Sequence, residues 1–404
     1  LFDGPEDAPR LEALDRAAGQ TPDAIRSPAL AQALFGRRMH ISASQAEAYA
    51  LCPFAYFCKY GLRARPRRAA ELDPLEYGSL MHYLLEHLFR DIGANAIAQM
   101  AEKALRKCIS DLLAQYAEQM LGGMADKGPR FRFLLDRVTE AAAVVAAHIA
   151  QELCQSAFQP VDFELPVGGE GGVPGLFLEL PDGGEVEIVG KIDRVDAWQE
   201  GGHTWLRVVD YKTGRKKFRM ADLLDGMNMQ MLLYLAALYE NGGARYPNPM
   251  PAGVLYMPAA VPAAPVDRSA PADKRRKKQA MELRMFGVVR ADPSIITAMD
   301  ASGAKQYIPV GLKKGAPDGA GSAVTGVEFD ALLAYVKEQV RQMAAALHSG
   351  HVEARPLQGA YDACAWCDYA AVCGHEPDGP ARQSDGRKPA QALRAILEKE
   401  EGLA

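Results

Sequence analysis

The chain has 404 residues, of which 49% are hydrophobic and 24% charged, with a formal net charge of −5. That composition supports a large buried core, and the length predicts two or three units, or one core with large insertions. The charge balance excludes bulk electrostatic attraction for nucleic acid, so any such contact must rest on local basic patches. The absence of an apolar run of about 18 residues excludes a helical membrane span and a membrane partner.

Taken in chain order, residues 1–40 read as a helical lead-in. Leu1-Phe2-Asp3-Gly4-Pro5 has no apolar signal core and no initiator Met, so the lead-in is expected to be a linker remnant from a longer protein. Ile41 to Glu47 carries Ser and Ser/Glu capping chemistry and opens a short helix running into Cys52-Pro53-Phe54. From Pro74 to about Gln155 the pattern is helical, with Leu80, Leu84, Leu85 and Leu88 on one stripe. After Pro160 the period changes. Val161–Leu165, Leu176–Leu180, Val186–Val195 and Trp205–Tyr211 read as strands between Gly-rich turns. A helix is expected over Met227–Tyr239, a strand over Gly253–Met257, and an exposed Pro/Ala-rich loop over 258–273. That loop leads into the basic run Lys274–Lys278, which takes the same loop setting. A strand-like stretch over Leu283–Val289, a long helix over Glu328–Leu347, a compact cysteine loop and a polar tail with a weak helix near Ala390–Glu398 complete the chain. Helices, then a block of strands with an inserted helix, then helices again predict an α/β core wrapped by helical additions.

The stretch that carries chemistry is Gly190-Lys191-Ile192-Asp193-Arg194-Val195-Asp196, followed by Val208-Val209-Asp210-Tyr211-Lys212. Strand alternation puts Asp210 and Lys212 on one face and Tyr211 on the other. A turn at Gly201-Gly202 allows the preceding strand to lie antiparallel and to bring Asp193 to the same end of the sheet. Two converging carboxylates supply hard oxygen ligands for Mg²⁺, for which Mn²⁺ can substitute, and an adjacent ammonium can orient water and offset charge on a phosphate. Together these groups suit metal-assisted phosphodiester hydrolysis. A lone Asp-x-Lys at a strand end is usually a solvated surface pair, and Asp193 one hairpin upstream is what shifts the balance. Asp196 is expected on the opposite face and Glu86 one turn beyond His82; both are left out of the ligand set, and Glu185 and Glu187 read as solvated strand residues.

The seven cysteines are too few and too scattered for a disulfide scaffold, and a reducing cytoplasm is the simpler setting. Cys364-x₂-Cys367-x₅-Cys373, joined by Cys52 more than three hundred residues upstream, makes four thiolates that can hold either Zn²⁺ or a [4Fe–4S] cluster. Spacing alone does not choose between them. Cys58 is the rival of Cys52, while Cys108 and Cys154 read as buried small hydrophobes on helices.

Asp193 with Asp210-Tyr211-Lys212 resembles the PD-(D/E)XK nuclease motif in its RecB-type version. Gly78-Ser79-Leu80-Met81-His82 resembles that family's Gly-x-x-x-His helix, and Gln230-Met231-Leu232-Leu233-Tyr234 its Gln-x-x-x-Tyr helix. Alone, such His, Gln and Tyr residues are usually ordinary helix residues. The resemblance implies that His82 joins Asp193 and Asp210 as a metal ligand, that Gln230 positions substrate or Lys212, and that Tyr234 touches substrate. Cys52-Pro53-Phe54 with the three late cysteines looks like the iron–sulfur staple of AddB, a component of bacterial AddAB helicase–nucleases. It implies a [4Fe–4S] cluster on Cys52, Cys364, Cys367 and Cys373 that ties the two ends of the nuclease part together. The likeness runs from about Ile41 to Cys373 and takes in Met285 to Val289 and Met299-Asp300 as a late insertion.

On this reading 41–160 holds the first cluster cysteine and the Gly-x-x-x-His helix, and 161–260 the catalytic mixed sheet flanked by helices. An insertion with the basic loop fills 261–325, the last helix and cluster cysteines fill 326–375, and 376–404 is a mobile polar tail. The implied activity is hydrolysis of DNA single strands or unwound ends, beside an AddA-type helicase–nuclease subunit, in double-strand break repair by homologous recombination. No Gly-x-x-x-x-Gly-Lys-Ser/Thr loop occurs, so no ATP chemistry is expected. Arg63, Arg65, Arg67 and Arg68 are candidate phosphate contacts; for Lys274–Lys278 a solvated run is the expectation. Tyr56, Phe57 and Tyr60 can stack on bases or pack around the cluster, packing being expected for at least two of them. A DNA-end binding module with little activity outside its complex, and a zinc protein, are the alternatives.

Overall fold

The computed structural model describes residues 10–11, 24–65, 74–123, 128–214, 218–261, 271–376 and 378–402. After α1 (Pro28–Phe35), strand β1 (Arg38–Ser42) runs straight into α2 (Ala43–Leu51). Ser42 is the hinge between them. Its Oγ accepts from Gln45 N at 3.2 Å, and Gln45 Oε1 accepts from Ser42 N at 2.7 Å, a reciprocal cap worth about 1 kcal/mol. The expected helical stretch is α3 (Pro74–His87), α4 (Glu102–Leu121) and α5 (Pro129–Gln155), joined by shorter turns.

The strands follow as expected in number and order: β2 (Gln159–Val167), β3 (Leu176–Glu179), β4 (Glu185–Glu200) and β5 (His203–Lys212). Next come α6 (Gln230–Asn241), β6 (Pro249–Pro258), α7 (Ala272–Glu282), β7 (Phe286–Arg290), β8 (Ala323–Val324), α8 (Gly326–His348) and α9 (Pro389–Glu401). One mixed eight-stranded sheet runs β1-β4-β5-β6-β7-β8, with β2 and β3 also paired to β4. The long β4 serves both ends. Its first residues pair with β1 and β3, and its later ones with β2 and antiparallel β5. The crossover through α6 makes β6 parallel to β5.

Alternation along the strands divides the core in two. Leu206, Val208 and Val254 pack with α6, α8 and α9. Val209, Tyr211 and Leu255 pack with α3, α4 and α5. The fold is therefore a mixed sheet flanked by helices on both faces, as the resemblance implies. Among the described residues no helix is long and apolar enough to cross a membrane.

Several local expectations need correction. Strand β1 escapes the sequence reading, because only Met39 and Ile41 alternate inward over its five residues. Helix α6 starts at Gln230, three residues later than Met227, after a 3₁₀ turn over Met220–Asp225. The strand expected over Leu283–Val289 begins at Phe286, since Leu283 caps α7. Lys274–Lys278 lies on helix α7, not in a loop; Lys, Arg, Gln and Ala are good helix formers and nothing interrupts them. The tail of 376–404 is not all mobile. Helix α9 buries Ala392, Leu393 and Ile396 in the main core. Glu187 is buried rather than solvated, and pairs with His40 at 2.9 Å. Cys154 is exposed, with its thiol 3.2 Å from Asn95 Oδ1, and Cys108 is only partly covered. Of the Pro/Ala-rich loop, 262–270 lie outside the described residues, as do Arg67 and Arg68.

Candidate active site

Antiparallel pairing of Arg194 with Val209 carries on to set Asp193, midway along β4, beside Asp210 near the end of β5. Asp210 is 3% exposed. Burial, then the charge of Asp193, pushes its carboxyl up to about 6 against the opposing pull of Lys212 and His82. Lys212 Nζ lies 2.7 Å from Asp210 Oδ2 as an ion contact. Beyond this ammonium, the buried oxygen has no hydrogen-bond partner among the described residues. A buried carboxylate in that state suits a cation.

His82 projects from α3 onto the same end of the sheet. Its Nε2 is 2.8 Å from the Tyr211 carbonyl, and its Nδ1 is 3.4 Å from Asp193 Oδ2. The Tyr211 N–H donates to that same Asp193 oxygen at 2.8 Å. The peptide groups of Tyr211 thus hold both residues. Burial alone would push the imidazole down, but Asp193 and the Tyr211 carbonyl carry it up to about 9. With Nε2 donating to a carbonyl, Nδ1 holds the proton that faces Asp193, and a cation that displaced this proton would find the arrangement of a metal-ligating histidine.

The sequence reading missed Glu164. It lies on β2 between residues paired with Ile192 and Arg194, so it faces Asp193. His82, Glu164 and Asp193 bring one ligand atom each to within 4.8 Å of one another, a group able to hold a metal ion. Glu164 also forms an ion pair with Lys191. Asp162-Phe163-Glu164-Leu165 is an unremarkable strand sequence, and only β2–β4 pairing distinguishes its acid.

The helix face expected to carry Gln230 and Tyr234 does so. The Tyr234 hydroxyl meets the Gln230 side chain and the Lys191 backbone, and feels the charges of Asp193 and Asp210. Gly190 makes room for it: a Cβ there would stand 2.0 Å from the Tyr234 oxygen. Glu86 is drawn away into an ion pair with Arg90 at 2.6 Å. Asp196 faces away, as alternation predicts. It joins a buried cluster in which Arg207 donates to Asp196 at 2.8 Å and to Glu152 at 2.7 Å, and Arg194 donates to Asp196 at 3.0 Å and to the Tyr211 hydroxyl at 3.2 Å. This cluster fixes Tyr211 from behind.

At the other end of α2, Cys52 and Cys58 approach the late cysteine loop. Burial raises the Cys364 thiol, and the neighbouring Cys52, Cys367 and Cys373 raise it further. Cys58 is buried in the same apolar cluster as Cys52 and Cys373, and burial, then the charges of Cys367, Cys373 and Cys52, raises its thiol. Phe54, Phe57 and Tyr369 pack around these thiols, and Tyr56 is 4% exposed, so packing dominates for these rings. Arg63 and Arg65 are exposed beside this loop, where the Tyr369 hydroxyl donates to the Ala64 carbonyl at 2.9 Å.

The family model described as "PD-(D/E)XK nuclease superfamily" matches residues 40–374. The chain is also similar to proteins named as one component of an "ATP-dependent helicase/deoxyribonuclease". In Ruminiclostridium cellulolyticum the identity is 31% over 84% of this chain. In Clostridium tetani it is 29% over 84%, and in Symbiobacterium thermophilum 32% over 86%. In each case the chain spans 30% of the length of the relative. Together with the mixed sheet and the paired acids of β4 and β5, the match over most of the chain means that the chain belongs to the PD-(D/E)XK nuclease superfamily.

Proposed function

We propose that this chain is a Mg²⁺-dependent deoxyribonuclease, working beside an ATP-driven helicase subunit on DNA ends in the cytoplasm. The observation that carries the reading is the convergence of His82, Glu164 and Asp193 on one point beside Asp210 and Lys212. His82, Asp193 and Asp210, now with Glu164, would hold the metal, whose charge when bound would polarise a phosphodiester and acidify the attacking water. Lys212, held by Asp210, faces the reacting phosphate and offsets the charge that builds on it. Gln230 and Tyr234 brace the Lys191 backbone and so orient Asp193. Water adds to phosphorus, one P–O ester bond breaks, and a phosphate monoester and an alcohol result.

The thiols of Cys52, Cys364, Cys367 and Cys373 suit a [4Fe–4S] cluster, because an all-sulfur donor set favours soft metals and clusters. Such a cluster would staple α2 to the end of the chain. Iron, sulfide and zinc analysis of anaerobically purified protein decides between cluster and zinc. The helicase partner and the DNA substrate rest on the names of the relatives.

The test is digestion of single-stranded DNA with Mg²⁺, with Lys212→Ala as control. Cutting by the wild-type chain and none by the variant supports the reading. No cutting by either protein under metal-replete conditions overturns it in favour of a DNA-end binding module.

A further inference from the structure

Three aromatic rings stand in a row beside Lys212. Tyr256 on β6 pairs with Asp210 in the β5–β6 ladder and with Phe286 across β6–β7. Its ring stacks on Phe286 at 5.2 Å and 17°, and on Phe218 at 6.1 Å and 24°. Lys212 Nζ lies 5.6 Å from the Tyr256 ring centre. The middle ring is buried, at 4% exposure, while Phe218 and Phe286 at the two ends are only partly covered.

Phe218 also lines a cavity, together with Arg219, Gly321, Ser322 and Arg387. Arg219 is paired with Asp222, and Arg387 lies 3.2 Å from Asp385. Both guanidinium groups are about half-exposed, at 45% and 50%. Core packing accounts for the burial of Tyr256. It does not account for an aromatic row that ends in a partly open ring walling a cavity furnished with two guanidinium groups and one carboxylate, that of Asp385.

We propose that this cavity is a subsite for one unpaired base of a DNA single strand whose scissile phosphate lies at Asp193, Asp210 and Lys212. The proposal rests on the nuclease reading above. The base stacks on Phe218 at the end of the row, and Arg219 and Arg387 face the adjoining phosphate. Stacking of this kind is blind to sequence, because every base has a π-face, and it needs a base free of its partner strand. It would therefore favour single strands over duplex without base-specific contacts.

The test is a binding titration of a labelled single-stranded oligodeoxynucleotide with Ca²⁺ in place of Mg²⁺, so that binding is read without cleavage. Phe218→Leu keeps the apolar volume and removes the ring face; it should raise Kd about tenfold. An abasic residue stepped along the oligonucleotide should weaken wild-type binding about tenfold at one position and leave the variant unaffected there. Equal Kd values for the two proteins, or equal abasic penalties at every position, overturn the proposal. Thermal melting checks that Phe218→Leu is folded. If it is not, Arg387→Gln decides: the slope of log Kd against log salt should fall by about one, and an unchanged slope overturns the proposal. Failure of the nuclease reading shows separately, as no Mg²⁺-dependent cutting by the wild-type chain.

Discussion

Glu164 faces Asp193 across the β2–β4 ladder, and it does so with a left-handed backbone φ of 51°. A non-glycine residue in that region costs on the order of 1 kcal/mol. Both Glu164→Ala and Glu164→Gly remove the carboxylate, but only glycine relaxes the backbone. Each variant should require about tenfold more Mg²⁺ for half-maximal cleavage, by analogy with the loss of metal-site partners. In chemical denaturation the glycine variant should be the more stable of the two by about 1 kcal/mol. An unchanged Mg²⁺ requirement removes Glu164 from the site.

Lys212 contacts Asp210 but is itself partly exposed. Lys212→Ala should lower single-turnover cleavage at saturating Mg²⁺ by at least about a hundredfold, while single-strand binding in Ca²⁺ falls far less. A parallel loss of binding and cleavage would mean that Lys212 holds the strand and does nothing for the chemical step.

The cysteine assignment separates two neighbours. If the proposed cluster is present, Cys52→Ala should abolish its brown chromophore and bound iron and lower the thermal midpoint, because a staple joining Cys52 to Cys364 would close a very long loop. Cys58→Ala should keep both iron and colour. The reverse pattern in iron analysis would make Cys58 the ligand.

His148 on α5 is buried, and burial pushes it down to about 4 against a hydrogen bond with the Leu283 backbone. Its folded pKa lies below the unfolded value of about 6.5. Above that pH both states are neutral. Between pH 6.5 and 4 the unfolded chain takes up a proton that the folded one refuses, so stability falls as pH falls through this window. The loss approaches about 3 kcal/mol. Denaturation of the wild type and His148→Gln at pH 7 and pH 4.5 measures it; an identical acid loss in the two proteins sinks the idea.

Ile396 of α9 is fully buried against the main core. Ile396→Ala should cost about 2–5 kcal/mol, whereas a merely draped tail would lose almost nothing. Urea unfolding reads the difference directly.

Sequence by itself determined whatever depends on neighbours along the chain. Alternating or continuous apolar runs between turn residues mark β2 to β6, and the Ser42 cap marks α2. The spacing of Asp210 and Lys212 puts them on one face, and the short turn at Gly201-Gly202 fixes Asp193 beside them. Those features follow from local geometry, which a residue carries wherever it sits. Tertiary structure decided the rest. Glu164 is one acid among many until β2 pairs with β4. No local pattern marks Glu152, Arg194, Asp196 and Arg207 for burial, yet all have fully buried side chains because each supplies another's partner. Helix α9 reads as a polar tail because its apolar residues are few, and only the packed core against which it lies shows that they suffice. Pairing, burial and long-range charge arise between segments far apart in sequence, so no local pattern can encode them.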